Sequence, residues 1–214
     1  MVLNGDEPWP EEMKLLDACE AIVCADGAAM ALLKANRPPT VIVGDLDSLD
    51  PEAYKWADAL DVPIERHPKD KDDTDGELAL QKAFDLGARS VLILGAHGKR
   101  SAMFLANLYL LRRCHEQGVD AAMIGHGESM RFVGAGGEVF LTGRTGATLN
   151  LLPVDGACVV DLEGTDWDGQ EIVLAPFSAR GASNRIVSDG ARVRVRSGTL
   201  LAIVERRPER PERG

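Results

Sequence analysis

The sequence lacks paired cysteines, long apolar segments and any excess of positive charge. Its four cysteines are scattered and form no CxxC pair, so we expect free thiols in a reducing cytosol, although the sequence alone leaves disulfides open. No run approaches the roughly 18 apolar residues of a membrane-spanning helix, and the acidic N-terminus lacks the apolar segment of a signal peptide. The net charge of −10 disfavours nonspecific binding to nucleic acid. We therefore expect a cytoplasmic protein that binds neither membranes nor nucleic acid.

The first part of the chain alternates between strand and helix patterns. The segments AIVCA, TVIVG, VPIE, SVLILG and DAAMIG have the short, apolar character of buried strands. The segments between them, GAAMALLKAN, PEAYKWADAL, TDGELALQKAFDLG and about Ser101 to Gln117, have helical periodicity. This order predicts an α/β domain over residues 1–128, with a parallel sheet covered by helices on both faces.

The pattern changes after about Ser129, where short apolar runs are separated by glycines and other turn residues. We expect an all-β domain over residues 129–205, and a disordered tail over the charged, Pro-rich residues 206–214. Within the β domain, ARVRVRSGTLLAIV alternates between polar and apolar residues around a Ser-Gly pair. That pattern predicts a β-hairpin.

Four polar segments follow predicted strands of the α/β domain. They are CADGAA, GDLDS, KDKDDTDGE and GAHGKR. Ligands of open parallel sheets bind beyond the carboxyl ends of the strands. We therefore expect these four segments to meet at one edge of the sheet and to form a binding site there.

Acidic residues dominate two of these segments. Asp45 and Asp47 are two residues apart across a turn, a spacing that can direct both carboxylates at one hard cation such as Mg²⁺. Asp72 and Asp75 add a second acidic group. Helix capping is the alternative for their neighbours, because Asp50 before Pro51 has the pattern of an N-cap. Thr74 and Glu77 likewise have the pattern of a capping box.

The segment GAHGKR places Lys99 and Arg100 at a predicted helix start. Backbone N–H groups at a helix N-terminus attract anions, and the two basic side chains add complementary charge. Beside an acidic metal site, the segment suggests metal-assisted phosphoryl or pyrophosphoryl transfer. The sequence contains no Walker A motif, which argues against a P-loop protein.

Seven motifs resemble those of the thiamine pyrophosphokinase family, in the same order and over nearly the whole chain. They are NGDEP, ADGAA, GDLDS, KDDTDGELAL, GAHGKR, LNLLP and GASNR. The resemblance implies a Rossmann-like nucleotide domain followed by a β-sandwich, in a homodimer with active sites at the subunit interface. It also implies Mg²⁺-dependent transfer of the pyrophosphoryl group of ATP to thiamine, giving thiamine diphosphate and AMP.

The resemblance also implies roles for individual residues. Asp45, Asp47, Asp72 and Asp75 would form the metal site, with Asp72 and Asp75 also beside the transferring phosphates. These four acids and Arg100 would be the catalytic residues. The nucleotide residues would be Asp26, Gly27, Lys71, Lys99, Arg100 and Asn107. The thiamine residues would be Trp167, Ser183 and Asn184, with Trp167 stacking on a ring. The alternatives are core or dimer packing for Trp167 and a structural turn for Ser183 and Asn184.

The sequence departs from the family pattern at three places. After Arg100 the family usually has an acid two residues on, followed by His or another polar residue, whereas this chain has Ala102 and Met103. Ala28 replaces a usual glycine, and Asn150 stands where serine is common. The lost carboxylate leaves three hypotheses open: a thiamine pyrophosphokinase, a pyrophosphokinase for another alcohol, or a binding protein without catalysis.

Overall fold

The computed structural model describes residues 1–70, 72–98, 100–176 and 178–206. The chain divides into two compact units, the first Met1–His126 and the second beginning at Gly127. The predicted tail lies outside the described residues except for Arg206. All four cysteines are free thiols. Over the part of the chain that is described, no helix combines the length and apolar character needed to cross a bilayer.

The first unit contains the predicted alternation of strands and helices. Its strands are β1 (Val23–Ala25), β2 (Val41–Gly44), β3 (Ile64–Arg66), β4 (Ser90–Ile93) and β5 (Asp120–Gly125). Its α-helices are α1 (Pro10–Met13), α2 (Ala29–Ala35), α3 (Pro51–Ala59), α4 (Asp75–Asp85) and α5 (Ser101–Glu116). Two 3₁₀ turns, Lys14–Ala18 and Asp26–Ala28, complete it. The expected α/β character is confirmed.

The strands of the first unit are parallel and are joined by the N-terminal segment. β2 pairs with β1 on one side and β3 on the other, while β4 pairs with β5. Val2 bridges both groups, because it forms parallel bridges to Cys24 of β1 and to Leu94 just after β4. Sequence analysis assigned no strand here, because one bridging residue leaves no periodic pattern to detect.

Side-chain caps begin α3 and α4. The Asp50 carboxylate accepts a hydrogen bond from the Glu52 N–H at 2.7 Å. Thr74 and Glu77 form the full capping box, with Glu77 Oε2 accepting from the Thr74 N–H at 2.8 Å and Thr74 Oγ1 accepting from the Glu77 N–H at 3.2 Å. The capping interpretation of these three residues is confirmed.

The second unit consists of antiparallel strands in two groups. Its strands are β6 (Glu128–Gly134), β7 (Glu138–Phe140), β8 (Thr148–Pro153), β9 (Cys158–Glu163), β10 (Gly169–Leu174), β11 (Asn184–Arg185), β12 (Arg192–Ser197) and β13 (Thr199–Glu205). One group has the order β10-β9-β12-β7. In the other, β8 pairs with β11 and β13, and β13 pairs with β6. Side chains from both groups bury one shared apolar core.

The predicted hairpin between β12 and β13 is wrong. β12 pairs with β7 and β9, whereas β13 pairs with β6 and β8, so the Ser197-Gly198 pair links two different groups of strands. Val193 and Val195 of β12 and alternate residues of β13 lie in the same core. Two strands that face each other across a core produce the same period-two pattern as two paired strands, so the pattern could not distinguish them.

Candidate active site

A cleft of about 490 Å³ opens beyond the carboxyl ends of β1, β2 and β4 in the first unit. This position is the one expected for a ligand site in an open parallel sheet. Segments that follow different strands, together with the N-terminal segment, supply its walls. The polar residues that line it are Asn4, Asp26, Ser48, Lys69, Asp73, Thr74, Asp75, His97, Arg100 and Asn107.

Three carboxylates converge at this edge of the sheet. Asp26 follows β1, while Asp45 and Asp47 follow its neighbour β2, and one oxygen of each lies within 4.8 Å of the others. The group ranges from buried Asp26, through half-buried Asp45, to exposed Asp47. Because the two strands are parallel and adjacent, their ends deliver all three acids to one place.

The backbone between Asp45 and Asp47 is held in an unusual conformation. Leu46 has a φ of 70°, in the left-handed region, which costs a non-glycine residue roughly 1–2 kcal/mol. The Asp47 N–H donates to Asp45 Oδ1 at 3.0 Å and closes the turn. The turn therefore keeps the two carboxylates close to Asp26 at a cost in local strain.

Asp26 is the most deeply placed of the three acids, with 1% of its surface exposed. Burial raises its pKa, the hydrogen bond from Ser48 opposes that rise, and the charges of Asp75 and Asp45 add to it. Its Oδ2 accepts from the Ser48 N–H at 3.4 Å. Its Oδ1 is buried with no hydrogen-bond partner among the described residues, and a bound ion is one of the partners that can satisfy such an oxygen.

Gly44, the last residue of β2, makes room for Asp26. A Cβ at Gly44 would lie 2.6 Å from the Cβ of Asp26, closer than real side chains approach. Gly27 plays a similar part, because a Cβ there would collide with the side-chain amide of Asn4. The glycines of GDLDS and ADGAA therefore permit the close approach of neighbouring segments that forms the acidic end of the cleft.

Two described cations line the cleft, and one of them pairs with an acid of the converging group. Lys69 Nζ lies 2.7 Å from Asp47 Oδ2, and Arg100 is the N-cap residue of α5. The predicted nucleotide residues Lys71 and Lys99 lie outside the described residues. Sequence analysis missed Lys69, and the only sequence clue was its place in the acidic segment KDKDDTD.

The other predicted nucleotide residues occupy several walls of the cleft. Asp26, Gly27, Arg100 and Asn107 all line it, and the Asn107 side-chain amide donates to the Ala96 carbonyl at 2.9 Å. Asp75 lines it too, whereas Asp72 is exposed. Asp26, which was expected at the nucleotide, is the third member of the acidic group in which Asp45 and Asp47 lie.

His97 lies in the cleft wall but is itself buried, with 8% of its surface exposed. Its ring stacks on His126 at a centroid distance of 5.4 Å and lies tilted to Phe104 at 5.2 Å. Neither of its nitrogens has a hydrogen-bond partner among the described residues. Burial, and secondarily the nearby His126, lower the pKa of His97 and favour a neutral ring.

Two of the departures from the family pattern fall at the start of α5. Ala102 is exposed in the first turn of the helix, whereas Met103 lines the cleft. The position at which the family has an acid is therefore occupied by a methyl group. An apolar side chain takes the neighbouring place in the cleft wall.

In the second unit, the three predicted thiamine residues lie near one another. The buried Asn184 accepts a hydrogen bond from the Trp167 N–H at 3.2 Å and donates to Thr165 Oγ1 at 3.0 Å. The Ser183 N–H donates to Asn150 Oδ1 at 2.8 Å, and Ser183 has a φ of 63°. The buried Asn184 thus holds the backbone of Trp167 in place, while the side chain of Trp167 is half-exposed.

A parallel sheet with acids and a glycine-rich loop at its strand ends is typical of α/β proteins that bind nucleotides. Residues 13–123 match the family model described as thiamin pyrophosphokinase, catalytic domain, and the chain belongs to that family. The resemblance drawn from the motifs is thereby confirmed. A comparison with curated proteins found no match.

Solved structures of similar fold include bacterial and fungal proteins. Thiamine pyrophosphokinase from Bacillus subtilis matches with a TM-score of 0.84 and 20% identity, over 95% of this chain and 96% of that one. Thiamin pyrophosphokinase from Geobacillus thermodenitrificans matches with a TM-score of 0.82 and 24% identity, over 97% of each chain. The Candida albicans thiamin pyrophosphokinase matches with a TM-score of 0.76 and 18% identity, over 95% and 87%. At these identities the likeness establishes the fold.

Proposed function

We propose that this chain transfers the pyrophosphoryl group of ATP to the hydroxyl group of thiamine, with Mg²⁺ bound by Asp26, Asp45 and Asp47. The observation that carries the proposal is the convergence of these three carboxylates, of which Asp26 lines the cleft, in a family catalytic domain. In the reaction, the oxygen of the thiamine hydroxyl group loses its proton to solvent and forms a bond to the β-phosphorus of ATP. The bond from that phosphorus to the oxygen bridging the α-phosphorus breaks, and AMP leaves with that oxygen.

The donor set fits Mg²⁺. Magnesium prefers oxygen ligands and commonly combines one or two carboxylates with phosphate oxygens and water. The orphaned Oδ1 of Asp26 supports this assignment, because a buried carboxylate oxygen without a partner is costly unless something binds it. When bound, the ion would neutralise charge on the phosphates.

The chain's own residues would position the two substrates. Arg100 and the N–H groups that begin the 16-residue helix α5 would attract phosphate oxygens, as would Lys71 and Lys99. Asp72 and Asp75 would lie beside the transferring phosphates, and Gly27 and Asn107 beside the nucleotide. Catalysis of this type depends mainly on positioning and on charge neutralisation.

The assignment extends to the organisation of the protein. Residues 1–128 would be a Rossmann-like nucleotide-binding domain and residues 129–205 a β-sandwich that binds thiamine through Trp167, Ser183 and Asn184. The half-exposed indole of Trp167 supports this role, since an exposed ring can stack on a ligand ring. We further propose a cytoplasmic homodimer, with a disordered tail over residues 206–214.

The deciding experiment follows AMP release from ATP, Mg²⁺ and thiamine, with mass detection of thiamine diphosphate. We expect both products, and we expect Asp45→Ala and Asp47→Ala to abolish them while the circular dichroism spectrum stays unchanged. Wild-type activity in both variants would refute the assigned site. If both substrates bind and no product forms, the chain is a binding protein, and Ala102→Asp together with Met103→His becomes the next variant to assay.

The alternative acceptor is tested separately. A thermal-shift screen of alcohols in the presence of an ATP analogue would reveal a different substrate. Stabilisation by thiamine and by none of the other alcohols would refute that alternative.

A further inference from the structure

Lys69 occupies the exposed side of the acidic group. Its Nζ lies 2.7 Å from Asp47 Oδ2, and its side chain is 78% exposed. Lys69 also lines the cleft, on the same wall as Asp73 and Asp75. A positive charge therefore already sits on one of the three carboxylates that face the proposed metal position.

The ammonium and a divalent cation would compete for Asp47. Both are attracted to the same carboxylate, and like charges a few ångströms apart repel each other. The Lys69–Asp47 pair is largely exposed, and exposed pairs of this kind contribute little stability. A flexible four-carbon side chain can also swing to a new partner without rearranging the backbone. The pair is therefore easily exchanged when a stronger cation arrives.

With nucleotide bound, the cleft would offer the released ammonium a new set of anionic partners. Its described walls carry the carboxylates of Asp26, Asp73 and Asp75, together with Arg100 as the other cation. A metal-bound polyphosphate would bring several negatively charged oxygens into this space. Lys69 and Arg100, which both line the cleft, are the described basic side chains that could pair with those oxygens.

We infer that Lys69 is a phosphate-binding residue that exchanges partners, pairing with Asp47 before the metal binds and with the phosphates of the metal–nucleotide complex afterwards. The inference rests on the proposed metal site and adds a residue that the family motifs did not identify. It assigns opposite effects to one side chain. Lys69 opposes the binding of the metal alone and favours the binding of the metal with nucleotide.

The test compares Lys69→Met, which removes the charge at nearly constant length, with Lys82→Met. Lys82 is a matched control, because its Nζ lies 2.6 Å from Glu65 Oε2 and it does not line the cleft.

Calorimetry would measure the affinity for Mg²⁺ alone, and then for a non-hydrolysable ATP analogue in saturating Mg²⁺. For Lys69→Met we expect Mg²⁺ alone to bind roughly threefold more tightly, the scale of an exposed ion pair. We expect the analogue to bind roughly tenfold more weakly, the scale of a charge-assisted hydrogen bond. Lys82→Met should change neither affinity.

Two results would overturn the inference and separate it from the proposed function. If Lys69→Met weakens both affinities, or leaves the analogue affinity unchanged, Lys69 does not exchange partners, and the metal site stands. If Asp47→Asn leaves the Mg²⁺ affinity unchanged, Asp47 is not a metal ligand, and both the inference and the proposed site fail. Lys69→Arg keeps the charge and should retain most of the analogue affinity, a rescue that a role in local folding alone would not predict.

Discussion

The surroundings of Asp26 are unfavourable for the stability of the fold, which suggests that this residue is present for a function. A carboxylate that is 1% exposed, with an orphaned oxygen and two acidic neighbours, is held in an environment that disfavours its charge. Ser48 opposes this effect through its backbone N–H and its side chain, and the N–H lies 3.4 Å from Asp26 Oδ2. A bound cation would supply the partner that the Oδ1 of Asp26 lacks.

We predict that Asp26→Asn lowers the activity without lowering the stability of the fold. The amide keeps the shape but removes the charge that a cation needs, so kcat/KM for thiamine diphosphate formation should fall by at least roughly 100-fold. Without metal, the free energy of unfolding should stay the same or rise by about 1 kcal/mol, because a buried charge has been removed. Enzyme kinetics and urea unfolding in EDTA measure the two effects.

The matched control for Asp26→Asn is Asp6→Asn, in an acid that lies outside the converging group and faces His126 at 3.3 Å. This control should keep Mg²⁺ affinity. A drop in stability of Asp26→Asn, with activity retained, would mean that Asp26 is a structural residue.

At the scale of one residue, functional side chains could be predicted from the sequence where their spacing along the chain was enough to indicate their chemistry. Asp45 and Asp47 were identifiable because two acids after a buried strand are unusual. The place of Asp26 among them was not, because it depends on the pairing of β1 with β2 and on the space left by Gly44. Lys69 was missed for the same reason, since its partner is 22 residues away in the chain.

Among the secondary-structure elements, the N-terminus of α3 shows the difference between an acid that caps a helix and the acids of the converging group. Asp50 lies only three residues after Asp47, yet its carboxylate accepts from the Glu52 N–H and is not in the converging group. We predict that Asp50→Ala costs about 1 kcal/mol of stability, the usual loss of an N-cap. Mg²⁺ affinity should stay within twofold of wild type.

Chemical unfolding and calorimetry measure these effects of Asp50→Ala. Asp50→Ser, which preserves a cap, should recover most of the lost stability. A large fall in Mg²⁺ affinity for both variants would place Asp50 in the site and contradict the capping assignment.

The link between β12 and β13 allows a second prediction at this scale. Gly198 has a φ of +83°, and a Cβ there would lie 2.7 Å from both the Ala157 carbonyl oxygen and Cys158 Sγ. Gly146 has nearly the same φ, +84°, but nothing lies within 4 Å of its Cβ position. We predict that Gly198→Ala costs about 2 to 4 kcal/mol, because backbone strain and overpacking add, whereas Gly146→Ala costs about 1 kcal/mol.

Thermal and urea unfolding of the two glycine variants give the comparison. Equal losses would show that strain alone matters and that the approach of Gly198 to β9 is not tight.

This turn is also where the prediction from the sequence was wrong. A Ser-Gly pair between alternating strands has the same pattern whether the strands pair or face each other across a core. Only the pairing of β12 with β9 and of β13 with β6 distinguishes the two.

At the scale of the whole molecule, the fold brings acidic residues together at the cleft although their like charges repel each other. The chain carries a net charge of −10, and the first unit concentrates acids at one edge of its sheet. The alternation of strands and helices was predictable because it follows from local periodicity. The joining of the sheet through Val2 was not, because it depends on two long-range bridges. The sequence thus indicated where the acids would gather, and tertiary structure determined which of them meet.

This electrostatic arrangement predicts that metal and nucleotide stabilise the protein together. A bound Mg²⁺ would relieve the repulsion among the acids and would favour the binding of phosphate, so neither ligand alone should stabilise the protein strongly. A complex at 100 times its Kd adds about 2.7 kcal/mol to the free energy of unfolding, which corresponds to a rise in Tm of roughly 5 to 10 °C for a chain of this size.

Differential scanning calorimetry with Mg²⁺, with a non-hydrolysable ATP analogue, with both, and with both plus EDTA tests this coupling. We expect the full shift only with both ligands, its loss in EDTA, and no shift in Asp26→Asn, which lacks one of the three charges that hold the ion. A full shift with the analogue in EDTA would mean that the phosphates bind without a metal. In that case the basic residues alone would account for nucleotide binding, and the three converging carboxylates would need another explanation.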